Sequence, residues 1–140
     1  MTALPLNGET WLICGGRDFT DSVMFNNAMS ELVHLKGFPS RIVEGGAKGA
    51  DALAAQWGDR HAIPVAELRA DWKTHGKAAG AIRNQKMLDE QKPQFVVAFP
   101  GGRGTADMVA RARKEGIDVA EVFPQPGTRP ASFLCDPGPF

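Results

Sequence analysis

The chain has 140 residues, of which 43% are hydrophobic and 23% are charged, and these values fit one globular domain with a single hydrophobic core. Lysine plus arginine and aspartate plus glutamate balance at 16 each, so the formal net charge at pH 7 is zero. This balance argues against extensive, charge-driven binding to nucleic acid.

Five short apolar runs predict β-strands. In chain order they cover residues 11–14, 41–43, 63–66, 95–99 and 117–120. The fourth run, Phe95-Val96-Val97-Ala98-Phe99, is apolar throughout, which is typical of a strand buried on both faces of a sheet.

Apolar residues at helical spacing occupy the segments between these runs. We expect the first helix to be capped by Asp21 or Ser22 and to end at Gly37. Three more helices are expected over about 49–60, over about 77–90, and from near Thr105 to just before Gly116. Strand–helix alternation predicts a Rossmann-like α/β fold, an open parallel sheet of about five strands with helices on both faces.

The proline-rich end of the chain, the lack of a recognisable targeting segment and the two cysteines lead to three further expectations. Residues 124–140 are rich in proline and glycine, which predicts an irregular tail outside the sheet, after a domain over residues 1–123. No signal peptide is recognisable and no apolar run approaches the ~20 residues of a membrane span, so a cytoplasmic protein without membrane contact is expected. Cys14 and Cys135 have no metal-type spacing, which predicts two free thiols and neither a metal nor another cofactor.

Three of the predicted strands are followed by glycine-rich loops. The loops are Gly15-Gly16-Arg17, Gly45-Gly46-Ala47-Lys48-Gly49-Ala50-Asp51 and Pro100-Gly101-Gly102-Arg103-Gly104-Thr105. Glycine lets a ligand approach the backbone, and the start of a following helix offers unpaired N–H groups and a partial positive charge. Each loop also carries one basic residue. One such loop alone could be a simple turn, but three together predict a pocket for a phosphate or carboxylate.

The position of these loops in a parallel sheet favours a shared site. Ligands of open parallel sheets bind beyond the carboxyl ends of the strands, where the strand order reverses. If the first and fourth strands are neighbours, the loops at Gly15-Gly16 and Gly101-Gly102 face each other across that crevice. The loops match neither the Walker A pattern nor G-x-G-x-x-G, which argues against a P-loop NTPase and an ordinary dehydrogenase.

Four motifs resemble the SLOG superfamily of Rossmann-like proteins and, within it, the YspA-like, YpsA-related branch. They are Cys14-Gly15-Gly16-Arg17-Asp18-Phe19-Thr20-Asp21; Gly45 to Asp51; Asp71-Trp72 with Gly76-Lys77-Ala78-Ala79-Gly80, Arg83-Asn84 and Met87; and Pro100 to Thr105. The resemblance runs from about residue 11 to residue 122. It implies a domain that binds a nucleotide or nucleotide-derived small molecule, as a sensor or a ligand-processing domain, and a homo-oligomer, most simply a dimer formed through helices.

Two alternatives to the binding role follow from the same resemblance. The superfamily includes the Lonely Guy phosphoribohydrolases, which cleave the N-glycosidic bond of nucleoside 5′-monophosphates, and the DNA-processing protein DprA. In the Lonely Guy motif a catalytic glutamate follows the last loop after two residues, whereas this chain has Met108 there. Asp107 points about 100° away around a helix, and Arg83 resembles an arginine that those enzymes need. Neutral charge and small size count against the DprA-like alternative.

The residues predicted to form the site follow from these loops and motifs. If the chain is a hydrolase, Glu44 is the best substitute carboxylate, ahead of Asp18, Asp51 and Asp107, with Arg83 as its catalytic partner. Glu44 could instead hold a ligand hydroxyl or a lysine, Asp51 could serve a helix dipole, and Trp72 could stack on a base or pack at the rim. The predicted ligand-binding residues are Gly15, Gly16, Arg17, Gly45, Gly46, Lys48, Gly49, Asp51, Trp72, Arg83, Asn84, Gly101, Gly102, Arg103, Gly104 and Thr105.

Overall fold

A computed structural model of the chain describes residues 6–124 and 132–136. Its strands are β1 (Thr10–Cys14), β2 (Arg41–Glu44), β3 (Val65–Glu67), β4 (Phe95–Ala98), β5 (Asp118–Phe123) and β6 (Ser132–Asp136). They form one sheet in the order β3-β2-β1-β4-β5-β6. The first five strands are all parallel, which confirms the predicted α/β fold with its five-stranded parallel sheet.

The helices are α1 (Ser22–Lys36), α2 (Ala50–Arg60), α3 (Trp72–His75), α4 (Ala79–Gln91) and α5 (Arg103–Lys114). At the start of α1 the Asp21 carboxylate accepts a hydrogen bond from the Met24 N–H at 3.0 Å. The helix ends at Gly37, whose φ is +88°. Both observations agree with the predicted cap and stop, since glycine adopts positive φ without a Cβ clash.

The helix expected over residues 77–90 is present as α4, although it begins two residues later than expected, at Ala79. The short helix α3 precedes it, followed by a 3-10 turn at Gly76–Ala78, and only then does α4 begin. Asp71 starts α3 by accepting a hydrogen bond from the Thr74 N–H at 3.1 Å, and Gly76 ends it with a φ of +57°. The extra element therefore has local capping signals that the apolar spacing of residues 77–90 did not contain.

Helices cover both faces of the sheet, as predicted. Trp11 and Ile13 point from β1 into a core with α1 and α2. Leu12, between them, points into a second core with α4 and α5. Successive side chains of a strand alternate between the faces of a sheet, so the continuously apolar β4 contributes to both cores.

The prediction that residues 124–140 form an irregular tail outside the sheet is wrong for Ser132–Asp136. This segment is β6, which pairs antiparallel with β5 in a register that places Ala120 opposite Cys135. Prolines flank the segment but do not interrupt it, so its backbone N–H groups are all able to pair with a neighbouring strand. Residues 125–131 and 137–140 and the thiol of Cys135 lie outside what the structure describes, whereas Cys14 is a free thiol.

Within the described residues, no helix combines the length and apolar character needed to cross a membrane. The cellular location of the protein stays a prediction.

Candidate functional site

The strand order reverses between β1 and β4, which lie side by side at the centre of the sheet. Their two loops are joined directly, because the Gly16 N–H donates a hydrogen bond to the Pro100 carbonyl at 2.8 Å. The expected adjacency of the first and fourth strands is therefore correct. A crevice at the carboxyl ends of the strands follows from this topology.

A cavity of about 910 Å³ occupies this crevice, which lies within the usual size range of small-molecule sites. The structure brings fourteen of the sixteen predicted ligand-binding residues to its walls. Those fourteen are Gly15, Gly16, Arg17, Gly45, Gly46, Asp51, Trp72, Arg83, Asn84, Gly101, Gly102, Arg103, Gly104 and Thr105. Of the predicted site residues, Lys48, Gly49 and the catalytic candidate Glu44 do not line the cavity.

The glycines of the loops serve two different purposes. A Cβ on Gly101 would lie 2.6 Å from the Gly16 nitrogen and would also collide with the Thr105 hydroxyl. This glycine therefore allows the first and third loops to pack against each other. By contrast, a Cβ on Gly102 or on Gly104 would meet no protein atom within 4 Å. Of these glycines, Gly102 and Gly104 leave open space where a ligand could approach the backbone.

The amino terminus of α5 opens on the cavity at these two glycines. Gly102 precedes the helix and provides no side-chain cap, so the N–H groups of the first turn lack partners within the helix. Arg17 and Arg103 line the same cavity and are exposed. Within residues 6–124, neither guanidinium forms an ion pair or a side-chain hydrogen bond. Backbone N–H groups and two free cations together make this end of the cavity suitable for an anion.

The second glycine loop is different, because carboxylates of the chain already accept hydrogen bonds from its N–H groups. Glu44 accepts from the Gly46 N–H, and Asp51 accepts from the Ala47 N–H at 3.1 Å. An external anion at this loop would have to displace these carboxylates. The loop therefore shapes the wall of the cavity, while the open N–H groups belong to α5.

Glu44 is a buried acid behind the second loop, with only 2% of its surface exposed. Burial raises the pKa of its carboxyl to about 7, and the neighbouring carboxylates of Asp51 and Glu67 add to the rise. Burial also raises the pKa of Asp51, although the Ala47 N–H and the Arg83 guanidinium oppose that rise. The placement of Glu44 outside the cavity wall does not favour a direct catalytic role.

The raised pKa of Glu44 predicts a pH-dependent stability. The folded protein holds this proton up to about pH 7, whereas the unfolded chain releases it near pH 4.5. The contribution of Glu44 to the free energy of unfolding is therefore largest at low pH. It falls by about 2–3 kcal/mol as the pH rises from about 4.5 to 7. Glu44→Gln keeps an acceptor for Gly46 and should flatten the decline, measured by urea unfolding from pH 5 to 8.

The control for this prediction is Glu31→Gln, which changes an exposed carboxylate on α1. That variant should follow the pH profile of the wild type. If the Glu44→Gln profile also runs parallel to that of the wild type, Glu44 is not the titrating group.

Two consecutive residues of α4 connect the walls of the cavity. The Arg83 guanidinium donates to the Gly45 carbonyl at 3.0 Å, and the Asn84 amide donates to the Gly104 carbonyl at 3.1 Å. The Arg83 Nε also donates to the Asn84 amide oxygen at 3.1 Å. Arg83 and Asn84 thus hold the second loop and the start of α5 at a defined separation, which assigns both side chains a positioning role.

The helix α5 places its Met108 and Asp107 in different surroundings. Met108 is 1% exposed and packs under the cavity against the apolar core that includes Leu12 and Met87. Asp107 lies outside the cavity wall and accepts hydrogen bonds from Asn84 at 2.9 Å and Arg111 at 2.8 Å. Although burial raises the pKa of Asp107, these hydrogen bonds bring it below its usual range. Met108 has no carboxyl group, and the carboxylate of Asp107 already accepts two hydrogen bonds from the protein.

Arg69 is a residue of the cavity wall that sequence reasoning missed. It is exposed and forms an ion pair with Glu67. Its position directly after the carboxyl end of β3 was the available signal, because ligands bind at that edge of a parallel sheet. Among the described residues, no group of three or more His, Cys, Asp and Glu side chains is placed to hold a metal ion.

Comparison with known proteins identifies related sequences. The model of a family described as "YspA, cpYpsA-related SLOG family" matches residues 12–75. The Gene 61 protein of Mycobacterium phage D29 is 34% identical over 122 residues, a match that covers 82% of this chain and 97% of the phage protein.

Two solved structures share the fold. A UDP-N-acetylglucosamine 2-epimerase matches with a TM-score of 0.53 at 16% identity, over 84% of this chain and 32% of the epimerase chain. Glycinamide ribonucleotide transformylase 1 from Symbiobacterium toebii matches with a TM-score of 0.51 at 8% identity, over 84% of this chain and 52% of the other. The chain thus spans about a third of the epimerase and about half of the transformylase. Sequence identities this low show only that the fold is shared.

Proposed function

Because the chain belongs to the YspA, cpYpsA-related SLOG family, we propose that it binds a nucleotide or nucleotide-derived molecule whose phosphate lies at the start of α5. Family membership supports a nucleotide-related binding or processing domain. The finer assignment, a sensor or ligand-processing domain with a phosphate loop at Gly101–Thr105, rests on the geometry of the cavity.

The observation that carries this proposal is the open amino terminus of α5. Its N–H groups lack helical partners, and a Cβ added to Gly102 or Gly104 would meet no protein atom within 4 Å. The exposed Arg17 and Arg103 add two positive charges to the cavity wall. A phosphate accepts several hydrogen bonds and carries more charge than a carboxylate, so it makes fuller use of such a site.

Binding without hydrolysis is favoured by the placement of the carboxylates. Glycosidic cleavage needs a carboxylate that activates water beside the sugar. Glu44 and Asp107 lie outside the cavity wall, and Met108 occupies the position of the hydrolase glutamate. Two carboxylates do line the cavity. Asp51 already accepts a hydrogen bond from the second loop, and Asp18 is exposed to solvent.

We expect Gly102→Ala to weaken binding of ribose 5-phosphate and AMP by about 10-fold to 100-fold. The added methyl group meets no protein atom, so it occupies only the space through which the phosphate approaches. Losing one hydrogen bond between a backbone N–H and a charged oxygen costs about 1.5–3 kcal/mol. Calorimetric titration measures the affinity, and thermal unfolding checks that the variant remains folded.

A pair of charge variants on α5 serves as the matched control. Arg103→Gln removes a cation at the start of α5 and should weaken phosphate binding. Lys114→Gln removes one at the other end of the helix and should leave binding unchanged. A folded Gly102→Ala protein that binds as tightly as the wild type would place the phosphate elsewhere.

Homodimerisation and a cytoplasmic location stay predictions. Neither is needed for the binding proposal. Sedimentation of the purified protein tests the dimer directly.

A further inference from the structure

Trp72 stands apart from the other large exposed hydrophobic residues. Its side chain is 57% exposed and lines the cavity. The others of this kind in the described chain, Leu6, Val23, Leu35, Ile82 and Phe123, do not line it. Isolated exposed apolar residues are ordinary on protein surfaces. An uncovered indole in the wall of a cavity is, in contrast, a surface available to a ligand.

The backbone around Trp72 fixes where the indole lies. Asp71 caps the short helix α3 that Trp72 begins. The ring edge lies over Gly80, where an added Cβ would be in ordinary contact with Cη2 at 3.6 Å. The indole is therefore placed against the first turn of α4.

The same helix relates the indole to the proposed phosphate position. Asn84 lies one turn after Gly80 on α4 and donates to the Gly104 carbonyl at the start of α5. Four residues of an α-helix advance by about 6 Å. Along the axis of α4, the Gly80 position beneath the indole and the Asn84 position that contacts the start of α5 are therefore offset by about 6 Å. A ribose ring bridges a comparable gap between the phosphate and the base of a nucleotide.

We propose that Trp72 is a ligand-binding residue that stacks on the base of a nucleoside 5′-phosphate while α5 holds the phosphate. This proposal rests on the proposed function and narrows the ligand class from phosphate-bearing molecules to those with a planar base. An aromatic platform accepts any base, because every base has a π-face. Discrimination among bases would then come from other groups in the cavity.

The test compares ligands that share a phosphate and differ in the base. Wild-type protein is titrated by calorimetry with AMP, GMP, CMP, UMP and ribose 5-phosphate. We expect the nucleotides to bind more tightly than ribose 5-phosphate. Trp72→Ala should lower nucleotide affinity by about 10-fold to 100-fold and leave ribose 5-phosphate affinity unchanged, whereas Trp72→Phe should retain most of the affinity.

Fluorescence provides a second readout that a merely structural role would not move. The other two tryptophans, Trp11 and Trp57, are 0% and 3% exposed, so a change on adding AMP should come from Trp72 and be absent in Trp72→Phe. Ile82→Ala, which trims an exposed apolar residue of α4 outside the cavity wall, is the matched control and should bind normally.

The outcomes separate this proposal from the proposed function. Equal nucleotide affinity in wild type and Trp72→Ala, with binding intact, overturns the stacking role alone. A parallel loss of ribose 5-phosphate binding in Trp72→Ala makes the role structural and also overturns it. Failure of the wild type to bind any of these ligands overturns the proposed function, and the stacking role with it.

Discussion

Gly49→Ala should lower the free energy of unfolding by about 2–5 kcal/mol, which is a large part of the stability of a domain of this size. Gly49 has a φ of +75°, and a Cβ there would lie 2.6 Å from the Arg17 carbonyl oxygen and also collide with that of Gly16. The residue is where the second glycine loop passes against the first before α2 begins. Alanine would have to adopt a disfavoured conformation and separate two backbones at once.

Gly116→Ala is the matched control for this prediction. Gly116 has a similar φ of +77°, but an added Cβ would meet no atom within 4 Å. In that variant the free energy of unfolding should fall only by the cost of a positive φ for alanine, about 1 kcal/mol. Urea unfolding measures both differences. Equal losses in the two variants would contradict the close approach of the first and second loops.

The wild-type protein should release no adenine from AMP above the background rate. A positioned acid or base contributes about 10²–10⁴-fold to such a reaction, and Met108 stands where the Lonely Guy enzymes carry their glutamate. A thioether neither accepts a proton nor stabilises a cation as a carboxylate does. Chromatography of AMP incubated with the purified protein measures the release.

If hydrolysis is detected, variants at Met108 and at the carboxylates show which group is responsible. Met108→Glu restores the missing group and should raise hydrolysis above the wild-type level. Because Met108 is 1% exposed, the same change should also destabilise the protein by several kcal/mol. Robust wild-type turnover would contradict a binding-only domain. Loss of that turnover on changing Glu44 to Gln, or on changing Asp18, Asp51 or Asp107 to Asn, would identify the replacement carboxylate.

Much of the fold could be predicted because its signals are local. The continuous apolar run at Phe95–Ala98 and the cap and stop at Asp21 and Gly37 concern neighbouring residues, and strand–helix alternation restricts the topology to a parallel sheet. Two elements were not predicted. The helix α3 has four residues, too few for a periodic pattern, and β6 is a short apolar segment between prolines.

The candidate site could be predicted only in outline. Parallel strands bring their carboxyl ends to one edge, so the loops after β1, β2 and β4 were expected to meet. Hydrogen bonds between residues distant in the chain cannot be read from spacing. The contact of Arg83 with Gly45 spans 38 positions. It gives a positioning role to a residue that the motifs had marked as catalytic and ligand-binding.

By itself the sequence determined the fold class, the edge of the sheet that carries the site and the segments that form it. Only the tertiary structure decided what each residue does there. Gly101 and Gly102 are chemically identical, yet a Cβ on one would meet backbone and on the other open space. The physical reason is that glycine has no side chain from which its role could be inferred. The atoms that would exclude a Cβ belong to residues elsewhere in the chain. Glu44 has a carboxyl group wherever it lies, and burial behind the second loop sets its pKa.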